Sequence, residues 1–134
     1  MKKIILLLIL TYCFTSYSQT NTFEKLKNEA FELLINKEYN KALIKINEAI
    51  KLNSNNADAF YCRGNINEAK NLLSSALSDY LKATKINPKH KDATSKCAII
   101  YGKQKDMPNF CKYSKKACEL GSDDACNMNN RFCN

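Results

Sequence analysis

Tryptophan is absent from the 134 residues, and glycine (3), proline (2) and histidine (1) are scarce. So little turn chemistry argues against a chain of many short strands and hairpins. No window alternates strictly between apolar and polar residues, so no half-buried strand is expected. The apolar run Ile4–Leu10 is seven residues long, whereas a membrane-spanning helix needs about 20. A single histidine makes a serine or cysteine triad hard to assemble, and no G-x-x-x-x-G-K-S/T, H-E-x-x-H, G-x-S-x-G or S-x-x-K occurs. No catalytic residue is assigned, no cofactor and no metal ligand, and the protein is not expected to be an enzyme. C-x-x-C is also missing, which disfavours structural zinc and a redox-active dithiol.

What is present is 45% hydrophobic and 25% charged, rich in helix formers and of a length suited to one domain. Met1-Lys2-Lys3 followed by Ile4–Leu10 has the form of a secretory leader. Ser16-Tyr17-Ser18 supplies a small-x-small cleavage site, so residues 1–18 are expected to be removed and Gln19 to begin the exported chain. Cys13 offers a minor alternative, lipoprotein anchoring, but Tyr12 occupies the place where lipoprotein processing wants a small residue. Without Cys13 six cysteines remain, an even number in a chain expected in the periplasm or outside a bacterial cell, and three disulfides become the default.

From Phe23 onward apolar positions recur at helical spacing. A first helix is expected over about Thr22 to Asn36 and a second over about Tyr39 to Leu52, with Asn53–Asn56 and Pro88 as stops. Aligning EYNKALIKINEAIKLNSNNADAFY with LLSSALSDYLKATKINPKHKDATS superposes Ala42 on Ala76, Ile46 on Tyr80, Ala49 on Ala83 and Leu52 on Ile86, a period of 34 residues. Residues 57–90 carry the fullest copy: Phe60 at the bulky first-helix position, Gly64 at a close-contact position, Ala76 and Ala83 at small positions and Pro88 as the stop. This resembles the tetratricopeptide repeat (TPR). The resemblance implies an all-α, right-handed solenoid of helical hairpins, with repeats at about 23–56, 57–90 and 91–122 and a capping helix at about 124–132. In the third copy Phe110 stands where a small alanine is expected. From Tyr113 on, KKACELGSDDAC resembles instead the Sel-like repeats of secreted, cysteine-rich bacterial proteins.

The stretch Cys111–Cys133 places four cysteines at intervals of seven, eight and seven. If a helix over 107–119 turns back at Gly121 into one over 124–132, Cys118 comes opposite Cys126 and Cys111 opposite Cys133. The remaining pair, Cys62 with Cys97, follows by elimination and lies about one repeat apart on first helices that stack side by side. Cys97 with Cys111 is the main rival, because the two helices of one repeat also touch; buried free thiols are a further alternative.

The leaderless chain carries 19 basic against 13 acidic side chains, and residues 82–116 hold ten Lys against Asp92 and Asp106. That excess fits lysine-covered helix surface, and it also fits an anionic envelope component as partner. Nucleic acid is not expected as a partner of an exported protein. The resemblance implies a protein or peptide interaction module whose first helices line a groove. The groove-facing positions are then Lys27, Phe31, Leu34, Tyr61, Asn65, Ser95, Ile99 and Lys103. Family members that clamp a C-terminal carboxylate use a fuller set of lysine and asparagine, and here Phe31 and Ser95 stand at such places. General groove binding is therefore expected. The competing reading is a basic, envelope-polymer-binding protein with weak hydrolase activity of the Sel-like type.

Overall fold

The computed structural model describes residues 20–133. The leader, the cleavage before Gln19 and Cys13 as a lipid site lie outside the described residues. Every regular element among the described residues is an α-helix. Helix α1 covers 20–35, followed by α2 (Tyr39–Leu52), α3 (Ala57–Ala69), α4 (Leu73–Ile86), α5 (Lys91–Lys103), α6 (Met107–Glu119) and α7 (Asp123–Phe132). The chain forms two compact units that divide between Ser54 and Asn55.

In the first unit Phe23 and Ala30 of α1 and Ala42, Ile46 and Ala49 of α2 are buried. The Ala42, Ile46 and Ala49 set recurs at four and three residues, one face of a helix. Lys45 of α2 meets Glu29 of α1 at 2.9 Å. Phe31, Ile35 and Ile44 remain exposed.

In the second unit α4 packs on α3 and α5, and α6 on α5 and α7. Its centre is Ala76 and Tyr80 of α4 with Cys97 and Ile100 of α5. Full burial of a side chain such as Ile100 contributes about 1.5–3 kcal/mol. A buried carboxylate ties α3 to α4: Asp79 accepts from Arg63 Nε (3.0 and 3.1 Å) and Nη2 (2.6 Å) and from Asn67 Nδ2 (2.9 Å). Four acceptor contacts from three donor groups keep that charge from being orphaned.

The turns explain how so few glycines suffice. Lys37, Asn71, Lys105 and Gly121 all adopt positive φ, between 61° and 86°. Around each, the chain closes the same pair of bonds, as when Lys105 N–H donates to the Gly102 carbonyl and Asp106 N–H to that of Tyr101, 3.0 Å each. This is the Schellman ending of a helix. Its first three occurrences are 34 residues apart, so the repeat is written in the backbone as well as in the side chains. Each following helix then starts on its own terms: Asn56, His90, Asp106 and Ser122 accept an N–H three residues ahead with their side chains, while Glu38 and Leu72 do not.

Two positions singled out in the sequence take on a more specific meaning. Gly64 makes room for an aromatic ring: a Cβ there would lie 2.5 Å from Cε1 of Tyr80. Phe110 fits because Gly102 faces it, where a Cβ would come within 3.1 Å of its ring. A large residue on α6 is thus matched by a missing side chain on α5.

Cys111 is bridged to Cys133 and Cys118 to Cys126, with Cα separations of 5.5 and 4.5 Å. The expected Cys62–Cys97 bridge is corrected: both residues are buried thiols. They stand 35 residues apart, one more than the repeat, and one residue is about 100° of rotation around a helix. The repeat-equivalent of Cys62 is Lys96, turned toward Glu68, whereas Cys97 is turned into the core against Ala76 and Tyr80. Burial pushes the Cys97 thiol up to about 12, so it stays protonated and inert at neutral pH.

Candidate functional site

Tyr61, Asn65 and Glu68 recur at four and three residues along α3 and form one stripe. Tyr80 reaches this stripe from α4. Its ring is fully buried against Gly64, and its hydroxyl lies 2.8 Å from both Asn65 Oδ1 and Glu68 Oε2. Across from the stripe, α5 supplies Lys96, whose Nζ lies 2.8 Å from Glu68 Oε2, and Lys103, whose Nζ lies 3.6 Å from Oε1. The α3–α5 seam is therefore closed over a single carboxylate that meets two ammonium groups and a phenol.

The charges follow from that arrangement. Burial pushes the Glu68 carboxyl up, but the hydrogen bonds from Lys96 and Tyr80 and the charges of Lys96 and Lys103 outweigh it and hold it below the usual range. Burial, reinforced by the bond to Glu68, pushes the Tyr80 phenol far up, so it remains a donor. At the start of α5 the Tyr61 ring lies 4.9 Å from His90 and 5.7 Å from Tyr80. His90 accepts the Ala93 N–H on Nδ1 at 3.3 Å. Its Nε2 lies 3.3 Å from Asp58 Oδ1, an ion-pair distance without the alignment of a hydrogen bond.

Of the eight groove positions expected from the sequence, five fall in the second unit. Tyr61 and Asn65 line the seam from α3, and Lys103 from α5. Ile99 is half-buried on α5. Ser95 is turned to the far hairpin instead, 3.2 Å from Oγ of Ser122 at the start of α7. The other three belong to the first unit. Lys27 pairs with Glu24 at 2.8 Å and lies over the Phe23 ring, Leu34 is half-buried, and Phe31 is 54% exposed. Missed altogether were Glu68, Lys96 and the Tyr80 hydroxyl. Extending the Tyr61–Asn65 stripe by three residues would have found Glu68; nothing in the sequence marks Lys96 among ten neighbouring lysines.

No family model matches the chain. FK506-binding protein 59 of Drosophila melanogaster is 34% identical over 80 residues, 58% of this chain but 18% of that protein, so the chain spans under a fifth of that relative. Among solved structures the Arabidopsis OM64 TPR domain superposes with a TM-score of 0.78 at 22% identity, covering 85% of this chain and 96% of that one. The first TPR of Spaghetti (RPAP3), bound to the HSP90 peptide SRMEEVD, gives 0.77 at 16% identity over 84% and 91%. The Sgt2 TPR domain from Aspergillus fumigatus gives 0.74 at 24% identity over 82% and 76%. The protein therefore has the fold of a tetratricopeptide repeat domain, as its 34-residue backbone period and its paired helices require.

Proposed function

We propose that this protein is an exported interaction module that holds a peptide segment of another protein along the α3–α5 seam. The observation that carries the reading is the seam itself: Tyr61, Asn65, Ile99 and Lys103 combine an aromatic face, an amide, an aliphatic surface and a cation on two adjacent helices. Such a mixture suits an extended peptide, with its carbonyls and alternating side chains. One solved structure of the same fold holds a peptide. Asn65, whose Oδ1 lies 2.8 Å from the Tyr80 hydroxyl, offers its side-chain amide to the backbone of a ligand.

Export rests on the leader sequence and suits the bridged cysteines, since disulfides persist in oxidising compartments. The Sel-like character of the Cys111–Cys133 segment belongs to the same reading, as the secreted form of a helical repeat. No catalytic role is proposed.

The test is selection of binders from a displayed peptide library by the leaderless chain. Tyr61→Ala with Asn65→Ala should weaken the selected peptides at least tenfold while Leu72→Ala, on the exposed start of α4, leaves them unchanged. Equal binding by the folded double variant removes the seam as the site.

A second reading has its own observation. Eight of the ten lysines between 82 and 116 are exposed: Lys82, Lys85, Lys89, Lys91, Lys103, Lys105, Lys112 and Lys115. They would attract an anionic envelope polymer by diffuse charge. Capture that disappears at high salt supports this partner, and capture that persists supports the peptide.

A further inference from the structure

The seam contains the parts of an anion site, already filled from within. A peptide carboxylate entering between α3 and α5 would seek Lys96 and Lys103, the two ammonium groups that α5 turns toward the α3 stripe. Both are engaged by Glu68, at 2.8 and 3.6 Å. The Tyr80 hydroxyl, a third donor suited to a carboxylate, also ends on Glu68. Glu68 is one-fifth exposed and Lys96 about one-third, so their contact is partly shielded from water and salt. We infer that Glu68 is a built-in counter-ion that occupies the carboxylate position of the seam and sets its specificity against acidic ligands.

This inference rests on the seam being the ligand-binding face and adds what that face refuses. An incoming carboxylate must displace a hydrogen-bonded carboxylate from Lys96 and then remain beside it, a like charge in a half-buried place. A neutral or cationic peptide faces neither cost. Neutralising Glu68 leaves Lys96, Lys103 and the Tyr80 hydroxyl in place and without their anion, so one substitution converts the seam from refusing a carboxylate to binding it.

The probe is the acidic heptapeptide SRMEEVD, fluorescein-labelled at its N-terminus and titrated by anisotropy at low salt. Wild type should bind it weakly, and Glu68→Gln at least tenfold more tightly. Adding Lys96→Met and Lys103→Met to Glu68→Gln should abolish the gain. An amidated control with its acidic residues replaced by Gln and Asn should not distinguish wild type from Glu68→Gln. Glu68→Ala, read in parallel, serves should the Gln variant melt below the assay temperature. Equal affinity of wild type and variant for SRMEEVD, a gain that survives loss of both lysines, or an equal gain with the neutral control each overturns the inference. Library peptides that bind wild type and fail on Tyr61→Ala/Asn65→Ala keep the binding face even if Glu68→Gln changes nothing. Their absence removes the face while leaving the SRMEEVD result to judge Glu68.

Discussion

At the scale of single residues, Tyr80 has the most consequences, because its ring fills the space above Gly64 while its hydroxyl positions Glu68. Gly64→Ala sets two effects against each other. Alanine favours a helix interior over glycine by about 1 kcal/mol, but its Cβ would collide with a fully buried ring whose far end is fixed by Asn65 and Glu68. Overpacking costs about 1–3 kcal/mol and should win, so urea unfolding of Gly64→Ala should show a lower midpoint than wild type. Glu68 gives a second expectation. Its folded carboxyl titrates below the ordinary 4.5, so its contribution to stability is present above the unfolded value and is lost as pH falls through the folded one. Wild type should therefore lose more stability than Glu68→Gln between about pH 5 and about pH 3, measured by urea midpoints. The bulky role of Tyr80 was legible in the 34-residue alignment, where it falls on Ile46. Its hydroxyl was not, because a repeat alignment records size and hydrophobicity, and the partners Glu68 and Lys96 lie on neighbouring helices that only the fold brings together.

Elements differ in what holds them. Helix α4 is fixed by five buried side chains, whereas α7 has ten residues and buries one, Ala125. Isolated helices of that length are marginal in water. The two bridges, with the 3.1 Å contact of Ser114 Oγ to Asn129 Oδ1, hold it against α6. A dithiol reductant should therefore raise amide exchange across Asp123–Phe132 to nearly unprotected rates, while α3, α4 and α5 keep their protection. Equal protection of α7 before and after reduction would show that packing alone holds it. Helix existence was largely readable from apolar periodicity, and the turn at Gly121 from its glycine. The turns at Lys37 and Lys105 were not, since lysine carries no turn signal and is tolerated there because the Schellman bonds repay its positive φ. The Cys62–Cys97 expectation failed for a related reason: counting repeats locates a residue along the stack to within one position, and one position is a quarter-turn of the helix.

For the molecule as a whole, charge and compartment are the questions. Intact mass of the exported protein should correspond to a chain beginning at Gln19, two disulfides and no lipid. A diacylated Cys13 would replace export into solution with membrane anchoring. The bridges also govern what a protease can release. Residues 111–133 form a ladder of two covalent rings, one closed by Cys118–Cys126 and a larger one by Cys111–Cys133. A protease that cuts between Cys118 and Cys126 opens the peptide chain yet releases nothing, because both bridges still join the two sides. A cut between Cys126 and Cys133 leaves the distal piece attached through Cys111. After a single cut anywhere between Cys111 and Cys133, releasing the distal piece takes a second, different agent, a reductant, acting on the same molecule.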